Sequence, residues 1–166
     1  MAFSTALAEL AKRALEVAKA NDCSIVTAES CTAGKLSGLL SEAPGAGALL
    51  HGGFVSYTKT NKTKALGVSA DLLKQKGAVC TDVAVAMAEG ALARSPAKVA
   101  VAITGVAGPK PDEDGNPVGL VCIAVARQGD PPIRLEKHYA NDGREAVQEQ
   151  AMADALTALI DAMKGD

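Results

Sequence analysis

The chain has 166 residues, of which 48% are hydrophobic, 22% are charged and 2% are aromatic. These values are ordinary for one globular domain with a buried core, and they argue against disorder. A formal net charge of -2, with two Tyr, two Phe and no Trp, offers neither the basic surface nor the stacking platforms that nucleic acid binding needs.

Membrane, targeting and metal signals are missing from the sequence. No apolar run approaches the ~20 residues that span a bilayer, and the N-terminal segment is amphipathic and charged, so we expect a cytoplasmic protein without a signal peptide. The acidic run 112–114 is interpreted as a solvated loop and not as a metal site. The cysteines form no C-x-x-C pair and predict reduced thiols, no disulfide and no bound metal; they are Cys23, Cys31, Cys80 and Cys122.

Helices and strands alternate along the chain until a strand hairpin near the end. The predicted elements are a helix over 6–20, a strand over 25–27, a helix over 32–40, a strand over 49–57, a short helix ending at 67, helices over 70–76 and 82–94, strands over 98–104, 118–126 and 133–139, and a helix over 144–163. The predicted N-caps are Thr60 or Asn61, Ser69 and Thr81. This order predicts an α/β fold, a three-layer α/β/α sandwich with a mixed sheet, as a single domain over 1–166.

A hydroxyl-rich turn follows the first predicted strand, with Ser30 and Thr32 on either side of Cys31 and with Gly34 two residues further on. A new helix begins there, and its first N–H groups and positive dipole end are exposed. That position suits an N-cap, an anion site, or a nucleophile whose oxyanion the N–H groups hold. Taken alone, an N-cap is the commoner role for such a hydroxyl.

Two further segments follow predicted strand ends, where sites gather in open α/β sheets. Gly105 and Gly108 flank a loop that can present N–H groups to a phosphate or carboxylate, but it matches no known glycine-rich motif, and a plain tight loop is commoner. Arg144 opens the last predicted helix, where a cation opposes the dipole. A bound anion would explain it, as would a surface ion pair with Glu145 or Glu149.

Lys62 is a second cation placed against a helix dipole if the short helix begins near Thr60. A lysine with a depressed pKa can take the proton of a serine, as in Ser–Lys hydrolases. The alternative is a solvated basic patch formed by Lys59, Lys62 and Lys64. The sequence pattern leaves both interpretations open.

Six separate blocks of sequence carry a more specific signal. They are Thr27–Gly34 (TAESCTAG), Gly53–Tyr57 (GFVSY) with Lys62, Gly77–Val79 (GAV), Thr104–Pro109 (TGVAGP), Pro117–Gly119 (PVG) and Gly143-Arg144. Together, from about Leu7 to Leu159, they resemble the C-terminal domain of the competence-damage-inducible protein CinA. Stand-alone members of that family include nicotinamide-nucleotide amidases, which hydrolyse nicotinamide mononucleotide to nicotinic acid mononucleotide and ammonia.

The resemblance implies an amidase without metal or cofactor, in which Ser30 is the nucleophile and Tyr57 and Lys62 activate it. It also implies a set of substrate-binding residues, with the last of them near the phosphate: Cys31, Thr32, Gly34, Thr104, Gly105, Ala107, Gly108 and Arg144. One departure is Gln148, where many members carry a second basic residue. The family also implies a homo-oligomer, a dimer.

Two other functions remain open at this point. One is a non-catalytic nucleotide-binding module, because full-length relatives carry a further domain and this would be a detached domain of the family. The other is an amidase for a different small amide. Nucleotide binding without turnover favours the first alternative, and a substrate panel separates the second.

Overall fold

The computed structural model describes residues 2–165. Its elements, in chain order, are α1 (Thr5–Ala20), β1 (Ile25–Glu29), α2 (Lys35–Glu42), α3 (Ala46–Leu49), β2 (Leu50–Val55), α4 (Lys59–Leu66), α5 (Ala70–Lys76), α6 (Thr81–Ala93), β3 (Val99–Gly105), β4 (Leu120–Arg127), β5 (Ile133–His138) and α7 (Arg144–Lys164). In the part of the chain that the structure describes, no helix is both long and apolar enough to cross a membrane.

The five strands form one mixed sheet in the order β2-β1-β3-β4-β5. β1 pairs in parallel with β2 and β3, whereas β4 is antiparallel to both of its neighbours. Helices cover both faces of this sheet. The predicted three-layer α/β sandwich in a single domain is therefore confirmed.

The core consists of two apolar layers, one on each face of the sheet, because alternate side chains of the central strands point in opposite directions. Val101 and Ile123 pack with α1, α2 and α7, whereas Ala102 and Ala124 pack with α4, α5 and α6. Small side chains allow close packing on the second face. Gly90 of α6 lies so near the carbonyl oxygen of Leu66, at the end of α4, that a Cβ there would clash.

The topology brings four chain segments to one edge of the sheet. β1, β2 and β3 are parallel, and β5 runs in the same direction because both β3 and β5 are antiparallel to β4. The segments that leave the carboxyl ends of these strands begin at Ser30, Ser56, Val106 and Tyr139. β1 also lies between β2 and β3, which is the crevice-forming arrangement at which ligands bind in open α/β sheets.

The helix caps correct two sequence-based predictions and confirm a third. Thr58, and not Thr60 or Asn61, caps α4 by accepting the N–H of Asn61 at 3.0 Å. Cys80, and not Thr81, occupies the N-cap position of α6, and it makes no side-chain cap bond. The predicted cap of α5, Ser69, is confirmed.

The start of α2 also differs from the prediction. The helix begins at Lys35 and not at residue 32, because Ala33 and Gly34 adopt positive φ angles of 50° and 90°. The N-cap position therefore belongs to Gly34, which has no side chain to offer. The apolar spacing from residue 32 onward extended the prediction across a turn that periodicity alone does not separate from the helix.

Candidate active site

A pocket of about 600 Å³ opens where β1, β2 and β3 end. Nine of the eleven predicted site residues line it: Ser30, Cys31, Tyr57, Lys62, Thr104, Gly105, Ala107, Gly108 and Arg144. The remaining two, Thr32 and Gly34, do not line it. Residues that are up to 114 positions apart in the sequence thus line one pocket.

A buried lysine–serine pair lies in this pocket. Lys62 Nζ is 2.8 Å from Ser30 Oγ, and it donates a second hydrogen bond to the carbonyl oxygen of Ser56 at 2.9 Å. Lys62 is 1% exposed and Ser30 is 7% exposed. The interpretation of Lys62 as part of a solvated basic patch is therefore wrong.

Burial gives Lys62 the electrostatics of a base. Desolvation lowers the pKa of Lys62 to about 8, and the Lys59 ammonium acts in the same direction. The neutral amine is thus populated close to neutral pH. A neutral amine within hydrogen-bond distance of a serine hydroxyl can accept its proton, which is the arrangement of a Ser–Lys nucleophile.

The position of Lys62 follows from the local sequence of α4. Thr58 begins the helix, and Gly67, with a φ of 70°, ends it. Lys62 and Leu66 are one turn apart on the same helix face, and both are buried against the domain. The packing that holds Leu66 in the core therefore directs Lys62 to the end of β1.

The turn after β1 is held by Glu29, for which the sequence suggested no role. The carboxylate is fully buried and accepts the backbone N–H groups of Leu36 and Ser37 at 2.8 and 3.0 Å. It also accepts the hydroxyls of Thr32 at 2.7 Å and Thr27 at 3.2 Å. The first N–H groups of α2 are thus satisfied by a carboxylate in the strand before the turn, and the positive helix end favours its charge.

This network explains why the predicted N-cap role of Ser30 or Thr32 is wrong. The Thr32 hydroxyl donates to Glu29 and lies fully buried behind the turn. Gly34 is needed for its left-handed conformation, and an added Cβ would lie 3.3 Å from Val55. Thr32 and Gly34 therefore shape the turn and do not line the pocket, so their predicted contact with substrate stays a prediction. The sequence signal for Glu29 was a charged residue at the end of an otherwise apolar strand.

We expect Glu29→Gln to lower the free energy of unfolding by about 1–3 kcal/mol, because an amide cannot accept every hydrogen bond that the carboxylate accepts. Urea unfolding measures this loss directly. Glu136→Gln is the matched control, since Glu136 is exposed and contacts only His138 at the surface. An equal, small effect of both substitutions would contradict the capping role of Glu29.

The Ser30 turn presents its own backbone to the pocket. Ser30 N–H donates to the Ile103 carbonyl at 2.9 Å, which fixes the turn to β3, and Ala33 N–H donates to the Ser30 carbonyl at 3.0 Å. Within residues 2–165, the N–H groups of Cys31 and Thr32 have no hydrogen-bond partner. Cys31 lines the pocket, so its N–H is the donor available to a bound group, whereas Thr32 does not line it.

Cys31 lies beside Ser30, but it has the wrong ionisation for a nucleophile. Burial raises the pKa of its thiol to about 12, so the thiolate is not populated near neutral pH. Its carbonyl oxygen accepts the side-chain N–H of Gln148 at 2.8 Å, and Gln148 in turn accepts Lys35 Nζ at 2.5 Å. Gln148 is 2% exposed. The residue that departs from the family pattern thus braces the turn from α7 and does not line the pocket.

Tyr57 and Arg144 form a separate group on the outer wall. Arg144 donates to the Tyr57 hydroxyl at 3.0 Å and to the Gly108 carbonyl at 2.9 Å. The predicted surface ion pair of Arg144 with an adjacent glutamate is therefore wrong. Tyr57 is 58% exposed, and its hydroxyl has no hydrogen bond to Ser30 or Lys62 within the described residues.

The loop after β3 contributes backbone and small side chains to the wall. Thr104 is buried, and its hydroxyl donates to the Ala78 carbonyl at 2.8 Å. A Cβ on Gly105 would lie 2.8 Å from the Leu120 carbonyl oxygen, so only glycine fits there. Ala107 is nearly fully buried beside them. The loop can therefore approach a flat ligand closely.

The acidic run on the far side of the pocket is not a free solvated loop. Lys59 Nζ contacts Asp114 at 2.7 Å and Glu113 at 3.4 Å, and Asp112 accepts the N–H of Asn116 at 2.7 Å. These contacts join the β3–β4 connection to the start of α4. Among the residues that the structure describes, no group of three or more His, Cys, Asp or Glu side chains could hold a metal ion.

The fold and this site define a class of protein, a three-layer α/β domain with a buried Ser–Lys pair where its parallel strands end. The chain belongs to the CinA C-terminal domain family, whose sequence model matches residues 7–163. The resemblance drawn from the six sequence blocks is thus confirmed.

Known proteins agree with this membership. The chain is 44% identical over 142 residues to a CinA-like protein of Mycolicibacterium vanbaalenii, which covers 86% of this chain and 33% of that protein. It is 41% identical over 143 residues to a CinA-like protein of Akkermansia muciniphila, with 86% of this chain and 34% of that protein covered. The chain therefore spans about a third of the length of these curated relatives.

Solved structures of similar length share the whole fold. The competence/damage inducible protein CihA of Agrobacterium tumefaciens is 38% identical with a TM-score of 0.93, and 98% of each chain is covered. A CinA superfamily protein of Escherichia coli is 34% identical with a TM-score of 0.90, covering 98% of this chain and 94% of that one.

Proposed function

We propose that the protein hydrolyses the carboxamide of nicotinamide mononucleotide to give nicotinic acid mononucleotide and ammonia. The observation that carries this proposal is the 2.8 Å contact between Lys62 Nζ and Ser30 Oγ in a pocket that also holds an arginine. An amide needs an activated nucleophile, a site for the oxyanion and a proton donor for the departing nitrogen. The side chains and backbone groups of this pocket can supply each of them.

In the first half-reaction, neutral Lys62 takes the proton of Ser30 as Oγ bonds to the carboxamide carbon. The oxygen of that carbon becomes an oxyanion, for which the free N–H of Cys31, which lines the pocket, is the nearest backbone donor in sequence. Each such donor is worth about 3 kcal/mol in other hydrolases. Lys62 then returns the proton to the nitrogen, which leaves as ammonia and leaves an acyl group on Ser30.

In the second half-reaction, Lys62 accepts a proton from water while the water oxygen attacks the acyl carbon. The proton returns to Ser30 Oγ as the carboxylate product departs. Because Lys62 serves both proton transfers, the scheme needs no metal ion and no cofactor. The Cys31 thiol takes no part in it, since its pKa is raised to about 12.

The substrate class follows from Arg144. Its guanidinium lies on the outer wall of the pocket, where it donates hydrogen bonds to Tyr57 and the Gly108 carbonyl. Within the described residues it makes no hydrogen bond to Ser30 or Lys62. A guanidinium binds a phosphate with charge-assisted, often bidentate, hydrogen bonds. A nucleotide with its phosphate at Arg144 and its carboxamide at Ser30 would use both parts of the pocket.

We expect Arg144→Met to raise the KM for nicotinamide mononucleotide by about 10- to 100-fold, because one charge-assisted interaction is lost. The same substitution should change turnover of nicotinamide riboside far less, since that substrate has no phosphate. Ammonia release in the presence of EDTA measures both. Arg134→Met is the control, because Arg134 pairs with Asp82 at the surface and does not line the pocket.

Three outcomes would count against the proposal. No ammonia from the folded protein, together with calorimetric binding of the nucleotide, would favour the binding-module alternative. Turnover of another small amide in preference to the nucleotide would change the substrate. Equal effects of Arg144→Met on nucleotide and riboside would remove the phosphate role of Arg144. The dimer expected from the family and the cytoplasmic location expected from the sequence remain predictions.

A further inference from the structure

Ser56 carries the only buried side-chain nitrogen or oxygen without a hydrogen-bond partner among residues 2–165. The residue is fully buried, at the end of β2 and next to the catalytic pair. A buried hydroxyl without a partner costs free energy, so each one calls for an explanation. Replacement by alanine would remove that cost with almost no change in shape.

The sheet register places Ser56 beside Ser30. Ala28 pairs with Phe54 and Glu29 pairs with Val55, and the hydrogen bond from Ser56 N–H to the Glu29 carbonyl at 2.8 Å closes this last pair. Ser30 and Ser56 are the residues that directly follow the pair on the two strands. Neighbouring strands lie about 5 Å apart, so the two serines are close to each other.

Strand alternation turns both hydroxyls toward the layer that contains α4. Ala28 and Phe54, two residues earlier on each strand, pack in the apolar layer of α4, α5 and α6. Side chains two residues apart share a face, so Ser30 and Ser56 follow them toward that layer. Lys62 approaches from α4 on the same side and contacts both serines, one through its hydroxyl and the other through its carbonyl oxygen.

Lys62 has one hydrogen-bonding position left over. An ammonium group has three N–H donors, and the two contacts of Lys62 Nζ within the described residues go to Ser30 Oγ and the Ser56 carbonyl. The Ser56 hydroxyl is on the same residue as that carbonyl. Rotation about one side-chain bond moves its oxygen between staggered positions, so it can turn toward Nζ without any backbone movement.

We propose that the Ser56 hydroxyl accepts the remaining N–H of Lys62, most strongly once Lys62 has taken the proton of Ser30, so that a Ser30–Lys62–Ser56 group performs the proton transfer. The inference rests on the proposed amidase function and deepens it. Ser56 forms and breaks no covalent bond, and the proton still passes from Ser30 Oγ to Lys62 Nζ and then to the departing nitrogen. Ser56 acts through Lys62, which makes it a positioning residue.

The energetic reason is that the contact is stronger in the charged state. In the neutral amine, the lone pair of Lys62 faces Ser30, one N–H goes to the Ser56 carbonyl and the other N–H is free to face the Ser56 hydroxyl. When the ammonium forms, the hydrogen bond to the Ser56 hydroxyl becomes charge-assisted and about twice as strong. An interaction that strengthens as the proton is transferred lowers the barrier and leaves substrate affinity unchanged.

The test is Ser56→Ala in the full chain, with ammonia release from nicotinamide mononucleotide as the readout. We expect kcat to fall about 10- to 100-fold with KM little changed, because one hydrogen bond to a charged group is lost. The midpoint of thermal unfolding should fall more below pH 8, where Lys62 is the ammonium that Ser56 stabilises, than above it. The acidic limb of the kcat profile should move to lower pH, since Ser56 stabilises the ammonium form.

The remaining charged and titratable groups around Lys62 are unchanged in this variant. Cys31 faces it from the turn after β1, and Lys59 faces it from α4. The other titratable residues of the pocket wall are Tyr57, Lys110, Asp112, Glu113, Asp114 and Arg144. A movement of the limb therefore reports the loss of the Ser56 hydroxyl.

Thr27→Val is the matched control. Thr27, in β1, is also fully buried, and its hydroxyl bonds to Glu29 and not to Lys62. It should lower stability without moving the pH limb. Titration of Lys62 by NMR with ¹³C-labelled lysine, without substrate, should show a lower pKa in Ser56→Ala than in the wild type. That readout is independent of amidase activity. An unchanged Lys62 titration in Ser56→Ala overturns the role of Ser56, whatever the substrate.

Discussion

Replacement of Ser30 by alanine is expected to abolish ammonia release from nicotinamide mononucleotide, with kcat lower by on the order of 10⁴-fold or more. The hydroxyl is the group that Lys62 contacts at 2.8 Å, and the side chain that remains has no atom able to bond to the carboxamide carbon. The neighbouring thiol cannot replace it, because burial raises the pKa of Cys31 to about 12. Ammonia is measured under saturating substrate, so that chemistry and binding are separated.

The same variant should still bind the nucleotide. Ser30 makes no contact with Arg144, and the turn is held by Glu29 and by the Ser30 backbone, both of which the substitution leaves in place. Calorimetry should therefore give a Kd within a few fold of the wild type. Ser41→Ala, on the exposed side of α2, is the control for a serine-to-alanine substitution outside the pocket, and it should keep full activity. Wild-type turnover in Ser30→Ala would show that Ser30 is not the nucleophile.

The fold class was predictable because it depends on local patterns. β3 is apolar on both faces, as a strand between helix layers must be, and α1 repeats its apolar residues at helical spacing. Neither pattern depends on distant residues. The start of α2 was not predictable from spacing, because positive φ at Ala33 breaks the helix without breaking the apolar period.

The site was predictable in its residues but not in its contacts. Lys62 and Ser30 are 32 residues apart, and the sequence left Lys62 open between a surface patch and a base. Whether Lys62 is exposed or buried beside Ser30 depends on the packing of α4, and that packing depends on Gly90 lying against Leu66. Tyr57 shows a different case, since its hydroxyl accepts a hydrogen bond from Arg144 and makes none with Ser30 within the described residues, and its predicted role in activating Ser30 stays a prediction. Such partner choices are decided by tertiary structure.

The loss of the base is the second large effect. We expect Lys62→Met to lower kcat by about 10²- to 10⁴-fold, which is the usual contribution of a positioned proton acceptor. Methionine has a similar length and fills the same buried space without a titratable group. Lys62→Arg serves as the matched variant that keeps the charge, and it should be equally inactive because a guanidinium stays protonated.

Stability should move differently from activity in Lys62→Met. The pKa of Lys62 falls from 10.5 to about 8, so folding disfavours its ammonium form by about 3 kcal/mol. That cost is fully present below pH 8, diminishes as the pH rises toward 10.5, and is absent above it. The variant has no such cost, which offsets the hydrogen bonds it loses to Ser30 and Ser56. We therefore expect its unfolding midpoint at pH 7 to equal or exceed that of the wild type.

The pH profile tests whether Lys62 is the base. Only the neutral amine accepts a proton, so wild-type kcat/KM should rise with pH through a value near 8, where the pKa of Lys62 lies. The residual activity of Lys62→Met should lack this rise, because methionine has no amine that loses a proton near pH 8. If Lys62→Met retains activity within tenfold of the wild type and the limb near pH 8 persists, the proton acceptor is another group. Tyr57 would then be the next residue to replace.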